Sequence, residues 1–158
     1  MAGLQNGTKF PALKMARVGG GEIILPDLLM GFYGVILAYR GSWCTRCNAQ
    51  MESFQTMLSQ LSQAGISVVG FSTDDEEHAN EMVEAHDLTF PIGFGVDMEK
   101  VGSLLQGYVN RERGSLECSN FLLRPDGAIE LAVYASGPIG RLAPEDVLDV
   151  VNRRRARG

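Results

Sequence analysis

The chain has 158 residues, of which 45% are hydrophobic and 21% charged, and its formal net charge of −5 argues against a general nucleic-acid binder. No apolar run approaches the ~18 residues that a membrane span needs, and the N-terminal stretch MAGLQNGTKF lacks the pattern of a signal peptide. We therefore predict one compact domain over residues 1–158, located in the cytoplasm, with neither nucleic acid nor a membrane as a partner.

The first half of the chain alternates between extended runs and helical patterns. GGGEIILPDLL predicts a short strand after a glycine turn, then a turn or one helical turn started by Pro26. GVILAY, residues 34–39, is an apolar run typical of a strand buried on both faces, and ISVVGFS, residues 66–72, predicts a second one. Between them, apolar residues recur at spacings of three and four from Cys44 to near Gly65, which predicts one helix.

The second half continues the alternation and ends in a hairpin and a helix. TDDEEHANEMVEAHDL predicts a helix with Thr73 or Asp74 as its N-cap. TFPIGF resumes an extended chain, and MEKVGSLLQGY is a short helix. NFLLRPDGAIELAVY predicts a hairpin that turns at PDG, and APEDVLDVVNRRR a final helix with Pro144 in its first turn. This order predicts a three-layer α/β fold, with a central mixed β-sheet flanked by helices.

Two cysteines in AYRGSWCTRCNAQM lie where a buried strand gives way to a helix. Unpaired N–H groups and the helix dipole favour a thiolate there and can lower a thiol pKa from ~8.5 to ~3.5–7.5. Cys44 is at the junction, whereas Cys47 belongs to the apolar helix face and should be the more buried. Arg40 and Arg46 flank the pair and can stabilise either thiolate, and Trp43 can shape a substrate rim. Solvated arginines and a packing role for the tryptophan are the alternatives.

The CxxC pair has three chemical interpretations. Structural disulfides are rare in the cytoplasm, so a reactive or metal-binding pair is favoured over a staple. Zinc would need Cys44, Cys47 and Cys118 together with His78 or His86, but CTRC lacks a second close ligand pair. Two buried structural thiols are the third interpretation. We favour a redox dithiol, with no metal and no cofactor.

Motifs along the chain resemble those of a known family. SWCTRC resembles the Trp-Cys-x-x-Cys of thioredoxins. The surrounding chain is similar to the alkyl hydroperoxide reductase/thiol-specific antioxidant family, the peroxiredoxins, in KFPAL, LPDLL, GVILAYRGSWC, VVGFSTDDEEHANEMVEAHDLTFPIGFGVD and NFLLRPDGAI. The likeness covers roughly residues 9–151. It implies a thioredoxin-like fold, antioxidant activity and a part in cell redox homeostasis.

The resemblance has departures that bear on the chemistry. In the peroxiredoxin motif Pro-x-x-x-Thr-x-x-Cys the peroxidatic cysteine falls at Cys47, while Arg40 replaces the proline and Cys44 replaces the threonine. An arginine that helps to bind peroxide in that family falls at Cys118. The buried acid and the cis-proline of thioredoxins are also missing. Because the CxxC dithiol is what survives in full, disulfide exchange is favoured over peroxide reduction.

We therefore predict a thiol oxidoreductase in which Cys44 attacks a disulfide and Cys47 resolves it as an intramolecular disulfide, which an external thiol donor reduces. In the peroxiredoxin alternative, Cys47 attacks a hydroperoxide, becomes a sulfenic acid and condenses with Cys44. A catalytically weak thioredoxin-fold binding module, using the pocket around Trp43, is a different class. A homodimer is left open. Cys118 should lie within ~10 Å of Cys47 as a third thiol that could serve as an alternative resolving thiol, with a buried core role as the other interpretation.

Overall fold

The computed structural model describes residues 3–157, and a seven-stranded mixed sheet forms its centre. Its strands are β1 (Leu13–Arg17), β2 (Glu22–Leu25), β3 (Tyr33–Ala38), β4 (Ile66–Phe71), β5 (Ile92–Phe94), β8 (Ser119–Leu123) and β9 (Ile129–Tyr134). Their spatial order is β2-β1-β5-β4-β3-β8-β9. A separate two-stranded ribbon consists of β6 (Val109–Asn110) and β7 (Ser115–Leu116).

Helices cover both faces of this sheet. They are α1 (Thr45–Thr56), α2 (Leu58–Gln63), α3 (Glu76–His86), α4 (Met98–Leu105) and α5 (Pro144–Ala156), with a 3₁₀ turn at Asp27–Leu29. Buried side chains of α1, α2, α3 and α5 belong to one apolar cluster, and those of α4 belong to a second. The predicted three-layer α/β arrangement is therefore confirmed. Within residues 3–157, no helix combines the length and the hydropathy needed to cross a membrane.

Strand β3 is the central element and leads directly to the cysteine pair. All six of its residues are buried. It pairs in parallel with β4 and antiparallel with β8. Val35 and Leu37 lie in the cluster under α1, whereas Ile36 and Ala38 lie in the cluster on the opposite face. A strand alternates its side chains in this way, so a strand covered on both faces has no polar positions, as the run GVILAY predicts.

The predicted single helix after Cys44 is wrong, because it is interrupted at Met57. This residue has φ −97° and ψ 6°, and it separates α1 from α2. The hydrogen bonds from Met57 N–H to Ser53 O and from Leu61 N–H to Met57 O span the interruption. The apolar spacing therefore continues through the break, which is why the sequence pattern does not reveal it.

The N-cap of α3 is also one residue later than predicted. The carboxylate of Asp75 accepts the N–H of His78 at 2.9 Å and caps the helix. The side chain of Asp74, one of the two residues predicted to cap the helix, points instead to the turn after β3. The short strands β1, β6 and β7 were not predicted, since none has an apolar run of the usual length.

Candidate active site

The turn between β3 and α1 presents the first cysteine at the helix start. Cys44 is the N-cap of α1, and its Sγ accepts the N–H of Cys47 at 3.3 Å. Its own N–H donates to the carbonyl of Gly41 at 3.1 Å, which closes the turn. Gly41 has no room for a side chain, because a Cβ there would overlap the indole nitrogen of Trp43. The strand-to-helix corner predicted for Cys44 is therefore present.

Polar side chains hold this turn from two neighbouring helices. A carboxylate oxygen of Asp74 accepts the N–H of Ser42 at 2.8 Å, and burial raises the pKa of this carboxyl. The amide of Asn48 donates to the carbonyls of Ser42 and Cys44 at 2.8 and 2.9 Å. Nε2 of His86 lies 2.7 Å from Oδ1 of Asn48. The position of Cys44 is thus fixed by α1 and by the segment that enters α3.

Three reduced thiols meet beneath this corner. Cys44, Cys47 and Cys118 are free cysteines with relative exposures of 4%, 0% and 1%. The Sγ atoms of Cys47 and Cys118 lie 3.6 Å apart, which confirms the expected proximity of this pair. Cys47 is the more buried member of the CxxC motif, as predicted, but Cys44 is buried too. A bulky substrate therefore cannot reach either thiol in this conformation.

The guanidinium of Arg141 reaches both cysteines of the motif. Its Nη2 lies 3.4 Å from Sγ of Cys44 and 3.2 Å from Sγ of Cys47. Among residues 3–157, no carboxylate forms an ion pair with Arg141. Its positive charge is therefore directed at the sulfurs. This residue was not predicted from the sequence, since a single arginine in the loop GPIGRLAP carries no local signal.

A buried network fastens the loop that carries Arg141. Nε2 of Gln50, on α1, donates to Oδ1 of Asn120 at 2.9 Å and to the carbonyl of Leu142 at 2.8 Å. The N–H of Leu142 donates to the same Oδ1 of Asn120 at 2.9 Å. Gln50 and Asn120 are themselves buried. Helix α1 and strand β8 thus hold the residue next to Arg141 by its backbone.

Arg40 approaches the thiols, but its charge is already paired. Its Nε lies 2.9 Å from a carboxylate oxygen of Glu117, in a largely buried ion pair. Its backbone N–H donates to Sγ of Cys47 at 3.5 Å, and its Nη1 lies 3.9 Å from Sγ of Cys44. Arg40 therefore contacts Cys47 through its backbone N–H, whereas its guanidinium contacts Cys44 at a longer distance. The carboxylate of Glu117, also missed from the sequence, neutralises much of the guanidinium charge.

Trp43 and Arg46 lie at the edge of the site. The indole of Trp43 is 42% exposed, and the guanidinium carbons of Arg40 and Arg113 lie 4.8 and 3.9 Å from its ring centroid. Arg46 is exposed. It lines a groove of about 390 Å³ beside the loop of Arg141. The structure therefore brings Arg40 to the sulfurs and places Arg46 outside their hydrogen-bonding contacts.

The three thiols titrate as one coupled group. Burial raises the pKa of Cys44, which is opposite to the lowering predicted for a helix N-terminus. The hydrogen bond with Cys118, followed by burial, raises the pKa of Cys47. The same hydrogen bond lowers the pKa of Cys118. One hydrogen bond therefore shifts the pKa values of Cys47 and Cys118 in opposite directions, and the two thiols titrate as a pair.

The structure does not support the zinc interpretation of the cysteines. No group of three or more His, Cys, Asp or Glu side chains within the described residues is arranged to hold a metal ion. His78 contacts Asp75 through Nδ1, and His86 contacts Asn48 through Nε2. Neither imidazole therefore contacts the thiols, as the zinc alternative would require.

A buried dithiol at the first turn of a helix, on a central mixed sheet, defines a thioredoxin-fold thiol oxidoreductase. The chain belongs to the AhpC/TSA family, whose sequence model matches residues 6–132. In the solved structures, AhpC of Mycobacterium tuberculosis superimposes with a TM-score of 0.79 over 98% of this chain and 94% of that one, at 18% identity. AhpC of Mycobacterium bovis gives a TM-score of 0.80 over 100% and 96%, at 20% identity.

Two curated relatives show which chemistries occur in similar proteins. The Mycobacterium tuberculosis protein named "Putative peroxiredoxin MT2597" is 29% identical over 147 residues, which are 88% of this chain and 92% of the relative. A protein of Oceanobacillus iheyensis named "Thiol-disulfide oxidoreductase ResA" is 29% identical over 90 residues. These residues are 53% of this chain and only 47% of that relative, so the match spans about half of its length. The chain is a peroxiredoxin-like oxidoreductase with thiol-based redox chemistry.

Proposed function

We propose that this protein reduces hydroperoxides through a cycle between a dithiol and a Cys44–Cys47 disulfide. The contact of Arg141 with both buried sulfurs carries this proposal, because a cation at 3.2 Å from Sγ of Cys47 favours the thiolate and opposes the rise in the pKa of Cys47 that Cys118 and burial cause. Burial of the thiols also limits the size of the substrate. A hydroperoxide is small, whereas a protein disulfide would have to displace the loop of Arg141. These features favour peroxide over the disulfide substrate that the sequence motif favours.

In the proposed cycle Cys47 is the nucleophile. Its thiolate attacks the terminal oxygen of ROOH, the O–O bond breaks, and Cys47 sulfenic acid forms together with ROH after one proton is taken up. The thiol of Cys44 attacks this sulfur and releases water, which leaves the Cys44–Cys47 disulfide. Two thiols of an external donor reduce the disulfide and are themselves joined as a disulfide.

Disulfide reduction by Cys44 is the second candidate function. Its support is that Cys44 caps α1, is the less buried cysteine of the motif and follows the exposed Trp43. In this route Cys44 attacks a disulfide and releases one substrate thiolate. Cys47 then attacks Cys44 of the mixed disulfide and releases the second. Both routes end in the same oxidised protein.

The first prediction separates the two routes with two substrates and two variants. Hydrogen peroxide consumption and insulin disulfide reduction are measured in parallel, with dithiothreitol as the donor in both. We expect peroxide turnover that Cys47→Ser reduces to the background rate, because the attacking sulfur is lost. Cys44→Ser should keep the first oxidation but lose rapid recycling. Peroxide consumption at the wild-type rate in Cys47→Ser would contradict the proposal.

The same measurements define the outcome for disulfide reduction. In that route Cys44→Ser abolishes insulin reduction and Cys47→Ser accumulates a mixed disulfide with the substrate. Wild-type rates for both variants would exclude both routes. An absence of turnover with either substrate would favour the binding-module alternative.

We propose a homodimer as the assembly of this chain. Four exposed apolar side chains, Ile24, Leu28, Met30 and Phe32, lie within nine consecutive residues and provide an apolar surface for such a contact. Sedimentation of the reduced protein at several concentrations tests this, and a monomer throughout would contradict it.

A further inference from the structure

Cys118 is held next to Cys47 by the sheet itself. It immediately precedes β8, whose first residue, Ser119, pairs with Ala38 at the end of β3. The carbonyl of Cys118 accepts the N–H of Ala135 at 2.9 Å on the other side. The strand pairs on both sides fix the Cys118 backbone where β3 turns into α1. The short distance between the two sulfurs is therefore a product of rigid elements.

Cys47 is the central thiol of the three. On one side, its backbone N–H contacts Sγ of Cys44 at 3.3 Å. On the other side, its Sγ lies 3.6 Å from Sγ of Cys118. A disulfide needs the sulfurs at about 2.05 Å, so the second pair has to close by roughly 1.5 Å. Small side-chain rotations can supply a movement of this size.

We propose that Cys118 is a second resolving thiol, which attacks oxidised Cys47 and forms a buried Cys47–Cys118 disulfide. This inference rests on the proposed function and adds a branch to its cycle. If Cys47 is a sulfenic acid, the Cys118 thiolate forms the S–S bond and hydroxide leaves. If the Cys44–Cys47 disulfide has formed, Cys118 attacks Cys47 and the Cys44 thiolate leaves. The second step is an exchange and needs no further oxidant.

The protonation of the cluster supports this branch. In the reduced protein the hydrogen bond with Cys47 and the charge of Arg141 both lower the pKa of Cys118, and the charge of Arg141 still favours the Cys118 thiolate when Cys47 is oxidised. Sulfenic acid that is not resolved can be oxidised further to sulfinic acid, which is irreversible for most proteins. A second resolving thiol shortens the lifetime of the sulfenic acid. The exchange step also regenerates the Cys44 thiol, while the Cys47–Cys118 disulfide lies deeper in the site.

The three cysteines fall on three different tryptic peptides, so each disulfide can be read directly. Cys44 lies in 41–46 and Cys47 in 47–100, because trypsin cleaves after Arg46. Cys118 lies in 114–141, because Arg124 precedes a proline and is not cleaved. Reduced protein is treated without a thiol donor, with one equivalent of hydrogen peroxide to detect the crosslinks and, in a separate sample, with an excess to detect sulfinic acid. The excess is needed because oxidation of a thiol to sulfinic acid consumes two equivalents. Each sample is then quenched in acid, alkylated, digested and analysed by mass spectrometry without reduction.

In the wild-type protein we expect two crosslinks, 41–46 with 47–100 and 47–100 with 114–141. The second should become the only crosslink in Cys44→Ser and should be lost in Cys118→Ser and Cys118→Ala. Sulfinic acid on 47–100 should increase in Cys44→Ser/Cys118→Ser relative to Cys44→Ser. Two substitutions at position 118 are used because serine leaves a hydroxyl in a buried site, and circular dichroism verifies that each variant is folded.

The outcomes distinguish the inference from the proposed function. If Cys44→Ser accumulates sulfinic acid at Cys47 and no crosslink to 114–141, the second resolving thiol is refuted while the Cys44–Cys47 cycle stands. If wild-type protein shows no crosslink that contains 47–100, the proposed function itself fails. A crosslink between 41–46 and 114–141 alone would show that Cys47 is not the central sulfur.

Discussion

At the scale of single residues, the two arginines near the thiols differ in whether their charge is already paired with a carboxylate. Arg40 lies next to the thiols in sequence and is the cation that the CxxC motif suggests, but its guanidinium is paired with Glu117 at 2.9 Å. Arg141 is 94 residues from Cys47 in the chain and reaches its sulfur at 3.2 Å. In a low-dielectric site, an unpaired charge polarises a thiolate more than one already neutralised. We therefore infer that Arg141 is the main thiolate-stabilising residue.

The prediction at this scale is that Arg141→Ala lowers the second-order rate constant with hydrogen peroxide by about 10- to 100-fold, since hydrogen bonds to charged groups contribute ~1.5–3 kcal/mol. The pKa of each of the three thiols should rise, because Arg141 lowers the pKa of all of them. Alkylation by iodoacetamide, measured against pH, should shift to higher pH.

Two further variants control this measurement. Arg141→Lys keeps the charge but not the planar fork that spans two sulfurs, so it should fall between the alanine variant and the wild type. Arg153→Ala removes an exposed arginine of α5, paired with Asp149, and should change neither the rate nor the pH profile. Unchanged alkylation profiles in Arg141→Ala would remove this residue from the site.

At the scale of elements, the loop of Arg141 is a positioning device built from α1 and β8. Gln50 and Asn120 bind the backbone of Leu142 from two sides. Loss of the Asn120 side chain would leave the buried N–H of Leu142 without its acceptor and would remove one of the two acceptors of the Gln50 amide. Leaving buried donors unpaired costs ~1–3 kcal/mol. The loop would then be free to move away from the thiols.

We expect Asn120→Ala to lower the free energy of unfolding by about 1–3 kcal/mol and to speed the alkylation of Cys44, because the cover over this thiol loosens. Urea denaturation measures the first effect, and iodoacetamide labelling of the native protein the second. Asn80→Ala, at a partly exposed position on α3, should change the free energy of unfolding by no more than about 0.5 kcal/mol. Destabilisation without any change in labelling would mean that Asn120 supports the core but not the loop.

The same elements show what the sequence can and cannot predict. The strand at GVILAY, the hairpin at PDG and the helix start at Cys44 follow from local patterns, and these elements are present. The interruption at Met57 leaves the apolar spacing intact and is invisible to a periodicity argument. The contacts of Arg141 and Glu117 join residues that are distant in the chain, and with one sequence no local rule connects them. The charged groups around the thiols can therefore be identified only from the three-dimensional structure.

At the scale of the whole molecule, the titration of the thiols is coupled to folding. Above an unfolded thiol pKa of ~8.5, unfolded chains release protons. In the folded state burial raises the pKa of Cys44, and the contact with Cys118 raises that of Cys47. Both thiols therefore stay protonated to higher pH in the native protein than in the unfolded one. The contribution of these two thiols to stability is complete below ~8.5 and is lost as pH rises.

Cys118 acts in the opposite direction, and its effect falls in a different pH range. Its pKa is lowered in the folded state by the contact with Cys47, so its contribution is complete above ~8.5 and is lost as pH falls below that value. Above pH ~8.5, Cys44 and Cys47 therefore determine how steeply the free energy of unfolding falls with pH. Tyr39, whose pKa burial raises, adds to the slope only near and above its unfolded value of ~10.

We therefore expect the free energy of unfolding of the reduced protein to fall between pH 8.5 and 9.5, by up to about 1.4 kcal/mol for each thiol that stays protonated. Urea denaturation under a non-thiol reductant measures it, followed by circular dichroism and by the fluorescence of Trp43. The two signals should give one coincident transition if residues 3–157 fold as a single domain. Cys44→Ser/Cys47→Ser should flatten the slope, because neither raised thiol remains. A slope that persists in this double variant would assign the pH dependence to other groups.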